Sequence, residues 1–162
     1  MSPSDPSSCP ALIAKLAVES TLWQALLNVM GEEERALVDG EADRLAPLNA
    51  SKLAQLQTLS NLARERYVEL QAAGYTPDLA GMGTWLTQHG QPQHLARWQQ
   101  LCDMEQQARA LNQRIGTLID MRLASTRQAL NVLIHAATSQ NGLYDQAGQS
   151  VAANKGKPLT AA

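Results

Sequence analysis

LNQRIGTLIDMRLASTRQALNVLI, residues 111–134, is the stretch that decides the fold. At about 100° per residue on a helix, Leu111, Ile115, Leu118, Ala129 and Leu133 fall on one stripe. Ile119, Leu123, Leu130 and Ile134 form a second stripe beside it, roughly 80° away. A surface helix needs one apolar stripe of about 100°, so this segment has more apolar face than one neighbour can cover. Two arrangements account for the surplus. Either the helix lies in the groove between two others and buries both stripes, or the second stripe is left for a partner helix. Length favours the second. The stretch sits in a run from Pro92 to about residue 140 that contains no further proline and only Gly116 among glycines. Such a helix is roughly 70 Å long at ~1.5 Å per residue, longer than the helices upstream. Part of its C-terminal half is therefore expected to overhang the bundle with apolar side chains exposed, and such a patch usually marks a binding site.

Upstream, Leu12, Leu16, Trp23, Leu26, Met30 and Leu37 recur at steps of three, four and seven, the spacing of one helix face. This first helix is expected from Ala11 to about Val38, ended by Asp39-Gly40. Leu45, Leu48, Leu56, Leu59, Leu62 and Leu70 mark a second helix, stopped by Gly74 and Tyr75-Thr76-Pro77. Pro47 must sit in its first turn or kink it, because a proline ring clashes with the preceding turn. Residues 74–92 mix Gly and Pro with Met82, Trp85 and Leu86, and predict a long loop carrying one short helix near 78–88. Pro92 suits the first turn of the third helix, where a missing N–H costs little. Residues 1–10, with three prolines, read as a flexible leader, and 141–162 as a largely disordered tail too polar to bury itself. The expected fold is all-α: an elongated antiparallel three-helix bundle over 11–140, with coiled-coil character and a long C-terminal helix.

Composition agrees. Phe is absent, aromatics make up 4 % of the 162 residues, and Ala, Leu and Gln dominate. These residues lose little rotamer freedom in helices. The formal net charge of −2 leaves no nucleic-acid footprint. No run approaches the ~20 apolar residues of a membrane span, and MSPSDPSSCP lacks the basic and apolar segments of a secretory signal. Cys9 and Cys102 are too few for a disulfide framework. A soluble, cytoplasmic protein is expected.

Catalytic signatures are missing: no GxSxG, no P-loop and no GxGxxG after a strand. His89, His94 and His135 lack the Glu-x-x-His spacing of bundle metal sites. No enzyme, metal or cofactor is implied. Glu32-Glu33-Glu34-Arg35 reads as a solvated helix face. Lys52 interrupts the apolar seam of the second helix. If the first two helices fold back at Gly40, Glu33 or Glu34 reaches it, a polar pair that would fix register.

NGLYDQAGQS, residues 141–150, strands one of the three tyrosines among polar residues. Asn141-Gly142 can end a helix in the left-handed conformation with Leu143 folding back. Tyr144 is left without a structural task.

The chain resembles the FlgN-type flagellar export chaperones of bacteria. The resemblance rests on EEERAL at the end of the first helix, SKLAQLQTL in the second, and LNQRIGTLI, RQALNVL and LYDQAGQS towards the C-terminus. It covers most of residues 11–150, and residues 74–92 depart from it. It implies a non-enzymatic type III export chaperone that holds the C-terminal helices of hook–filament junction (hook-associated) proteins and delivers them to the export gate, with the export ATPase as a further partner. By resemblance, client binding maps onto Leu118, Ile119, Leu123, Leu130, Leu133 and Ile134, and gate docking onto Tyr144. The alternative is a structural coiled-coil subunit or adaptor that oligomerises through the same apolar face.

Overall fold

The computed structural model describes residues 8–141, with side-chain burial for 11–139. Among the described residues every regular element is an α-helix: α1 (Ser8–Asp39), α2 (Ala42–Ala72), α3 (Leu79–His89) and α4 (Pro92–Asn141). Three are the long helices expected, and α3 is the short helix anticipated within 74–92. The first helix starts earlier than expected, at Ser8, inside the stretch read as a leader. Pro10 falls in its first turn, where proline is tolerated.

Local chemistry sets the helix ends. Gly40 (φ 76°) and Gly74 (φ 86°) take the left-handed conformation that a side chain disfavours. Behind them the Glu41 N–H bonds back to the Ala36 carbonyl at 2.9 Å, and the Tyr75 N–H to that of Leu70 at 3.1 Å. Both bonds close the last helical turn. Pro47 is the sixth residue of α2, one turn deeper than the first. Asp78 caps α3, its Oδ1 accepting from the Gly81 N–H at 2.6 Å and from the Thr76 hydroxyl at 3.0 Å. The Gly81 N–H, with the Thr76 hydroxyl second, holds this carboxyl below the usual carboxylate range. The Tyr75 hydroxyl donates to Gln88 Oε1 at 2.5 Å and lies 2.9 Å from His89 Nε2, tying the incoming turn to the end of α3.

By contact density the chain divides into two units, Met1–Ile119 and Asp120–Ala162. Both apolar clusters among the described residues lie in the first. One cluster joins Leu12 and Leu16 of α1 to Leu70 of α2, to Met82, Trp85 and Leu86 of α3, and to Trp98, Leu101 and Met104 of α4. A second joins Leu26, Met30 and Leu37 to Leu59 and to Ala108, Leu111 and Ile115. Residue numbers rise together along α1 and α4 and fall along α2. Within this unit α2 is therefore antiparallel to both.

Two ion pairs sit inside this apolar packing. Lys52 Nζ lies 2.6 and 2.8 Å from the Glu33 carboxylate oxygens, as the seam interruption suggested. Arg66 holds Glu19 through Nε–Oε1 at 2.9 Å and Nη2–Oε2 at 3.2 Å, with both side chains almost wholly buried. The Arg66 guanidinium also lies 4.7 Å from the Tyr67 ring centre and 4.8 Å from that of Trp98, so aromatic faces stabilise a cation that has left water. Around these run pairs nearer the surface: Lys15 with Glu65 and, half-buried, with Glu69, Arg44 with Glu32 and Glu41, and Arg114 with Glu34.

Removing one partner of a buried pair strands the other charge, which typically costs about 3–5 kcal/mol, whereas an apolar replacement of both is close to neutral. Arg66→Ala is therefore expected to lower unfolding stability by about that amount in urea titrations. Glu19→Leu combined with Arg66→Met should recover most of the loss. A double variant no more stable than Arg66→Ala would show that the pair contributes more than its charge balance.

Candidate helix-binding face

Helix α4 begins as a core element. Trp98, Leu101, Met104, Ala108, Leu111 and Ile115 are buried at steps of three and four, the spacing of one helix face. Leu118 is half-buried against the second cluster. Ile119, at the end of this unit, is 40 % exposed. The first stripe thus does in Leu111 and Ile115 what the periodicity predicted.

The unit Asp120–Ala162 differs. Every side chain described in it, from Asp120 to Ser139, is exposed. Leu123 (48 %), Leu130 (55 %), Leu133 (66 %) and Ile134 (51 %) carry the apolar face. Met121 and Val132 are exposed as well, on another side of the helix. The arrangement in which both stripes are buried between two other helices is therefore not the observed one. Leu133 also changes character: grouped by angle with the core residues Leu111 and Ile115, it is open to solvent. Rotational phase places a residue on a stripe but does not say how far along the helix the packing continues.

The helix persists here because Ala, Leu, Arg and Gln, which lose little on becoming helical, recur through LASTRQALNVLIHAA. Thr126 and Thr138 add hydroxyl bonds to the carbonyls of Arg122 and Ile134 at 2.9 Å each. Isolated helices owe little to tertiary burial and are marginal in water. Burying the apolar stripe against a partner would thus order the segment while removing its apolar surface from water. Tyr144 lies outside the described residues.

Burial raises the Cys102 thiol above its ordinary value, with Glu105 adding to the effect, so the nucleophilic thiolate is scarce. His94 Nδ1 accepts the Gln91 N–H at 3.1 Å at the start of α4. His135 is exposed. Among the described residues no group of three or more His, Cys, Asp or Glu side chains could hold a metal ion, and no helix is long and apolar enough to cross a membrane.

The sequence reading missed the Glu19–Arg66 pair. Its signal was available, since Glu19 stands three residues after Leu16 and four before Trp23, on the apolar face itself.

This geometry defines an all-helical protein with one packed core and an amphipathic helix face presented to solvent. A family model described as FlgN protein matches residues 1–152, and the chain belongs to that family, the flagellar export chaperones. No curated protein and no solved structure gives a significant match.

Proposed function

We propose that this protein is a non-enzymatic, cytoplasmic chaperone of hook–filament junction (hook-associated) proteins, built on three long helices with coiled-coil character. The observation that carries the proposal is the exposed stripe of α4 beyond Leu118, in a chain whose first helix buries Leu12, Leu16, Leu26, Met30 and Leu37 of its own stripe. An amphipathic C-terminal helix of the client lays its own stripe along Ile119, Leu123, Leu130 and Ile134, with Leu118 and Leu133 beside them. Each side would lose about 600–800 Å² of accessible surface, the scale of a complex that must later release its client. The client's assembly face is covered until it reaches the type III export gate, where Tyr144 docks and the export ATPase assists hand-over. Release comes from competition at the gate, and no covalent step is needed.

Exposure makes the face testable without damage to the core. Ile119→Ser with Leu123→Ser is expected to weaken binding of a hook-associated C-terminal segment by about 100-fold, the loss of two well-buried interface side chains at roughly tenfold each. Helicity by circular dichroism should stay near wild type. Unchanged affinity in the folded variant would remove the face from client binding. A structural coiled-coil subunit would instead sediment as a tight dimer indifferent to such segments.

Tyr144 separates docking from holding. Tyr144→Ala should leave client affinity unchanged and reduce export of the client in a secretion assay. Normal export by this variant would end the docking assignment.

A further inference from the structure

The apolar face of the unit Asp120–Ala162 has charged edges. Leu123, Thr126, Leu130 and Leu133 recur there at steps of three and four, the seam of a two-helix contact. In that register the positions bordering the seam are Arg122 on one edge, and Asp120 and Arg127 on the other. All three side chains are exposed. RLASTR, residues 122–127, thus brackets one pair of seam positions with a cation on each side. Further along, the borders are Ala129, Ile134 and Ala136, so the charge gathers at the start of the face.

The two units use charge differently. The residues up to Ile119 hold nine bases and thirteen acids, and those from Asp120 hold four bases and two acids. In the first unit Lys15, Arg44, Lys52, Arg66, Arg109 and Arg114 each hold a carboxylate of that unit. Arg127 has no acidic residue within six positions of it, whereas helical side chains meet at three or four. Its charge therefore does nothing to hold its own helix. Charges at the border of a seam set which partner lies there.

A second copy laid parallel would put Arg122 against Arg127 on both edges, and like charges facing each other suppress a pairing. An anionic membrane is a poor match too, since lipid recruitment takes clusters of about 4–8 bases. The edges fit an acidic helix.

We infer that the helix received on this face is acidic along its edges, its apolar residues lying on Leu123, Thr126 and Leu130 while a Glu or Asp on each side faces Arg122 and Arg127. The inference rests on the reading of this face as the client site and deepens it by naming the chemistry of the client. Exposed ion pairs add little affinity. Their effect is to speed encounter and to turn away basic helices that the leucines alone would accept.

Three amphipathic peptides of about 20 residues, roughly 30 Å as helices, test the charge preference against the full chain. They share one leucine–alanine seam and carry Glu, Gln or Lys at every bordering position. By fluorescence anisotropy in ~20 mM salt the Glu peptide should bind at least about tenfold tighter than the Lys peptide, mostly through faster association. The gap should close near ~1 M salt, where the screening length falls to about 3 Å. Arg122→Glu with Arg127→Glu, both at exposed positions, should reverse the order, and Arg122→Gln with Arg127→Gln should abolish it. Leu123→Ser with Leu130→Ser should weaken all three peptides. Equal affinities for the three, all lost in the leucine variant, would overturn the charge preference and leave the face as the client site. Equal affinities that survive in the leucine variant would remove the client site as well. A Glu preference that persists in both arginine variants would overturn the inference, as would a chain that binds none of the peptides because it sediments as a dimer or binds anionic vesicles instead.

Discussion

The structure depends on how two acids of α1 meet two bases of α2. Glu19 and Glu33 stand fourteen residues apart in the apolar face of α1, and Lys52 and Arg66 fourteen residues apart in that of α2. In an antiparallel hairpin the two spacings coincide, and both pairs close together. Leucine seams alone do not fix such a register, because a slip of seven residues still sets apolar side chains against each other. That slip would bury four charges against leucine, and uncompensated burial of a charge costs several kcal/mol per ion. Buried pairs add little net stability. Their contribution is to make the neighbouring registers worse.

With the hairpin fixed, α3 and the first half of α4 have one surface to pack on. Leu70, Met82, Trp85, Leu86 and Trp98 gather at one end and Leu59, Ala108, Leu111 and Ile115 further along. Arg66 connects the polar and apolar parts. Its charge is answered by Glu19 and its faces by Tyr67 and Trp98. The described residues after Ile119 keep the helical pattern without any burial. A helix that stays apolar on one face with nothing packed there has surface to spend on a partner.

Much of this was legible in the sequence. Helix ends at Gly40 and Gly74, the short helix near 78–88 and the start at Pro92 follow from turn chemistry that acts over three or four residues. Lys52 was conspicuous because leucines flank it. Glu19 was not, because a glutamate in an otherwise mixed stretch reads as solvated unless the steps from Leu16 and to Trp23 are counted through it. The two stripes of α4 were visible as angles. That Leu118 is half-buried while Leu133 is exposed depends on where other helices provide surface, and no local pattern in α4 encodes that.

The central claim is that the exposed face of α4 is where a client helix binds. Hydrogen exchange of the full chain, with and without a hook-associated C-terminal segment, addresses it most directly. Exchange reports local opening, and a helix without tertiary packing opens readily. The account predicts that amides from Ile119 to Ile134 exchange quickly alone and become protected when the segment is added, while those around Glu19 and Arg66 are slow in both states. Protection that leaves residues 119–134 unchanged would contradict it.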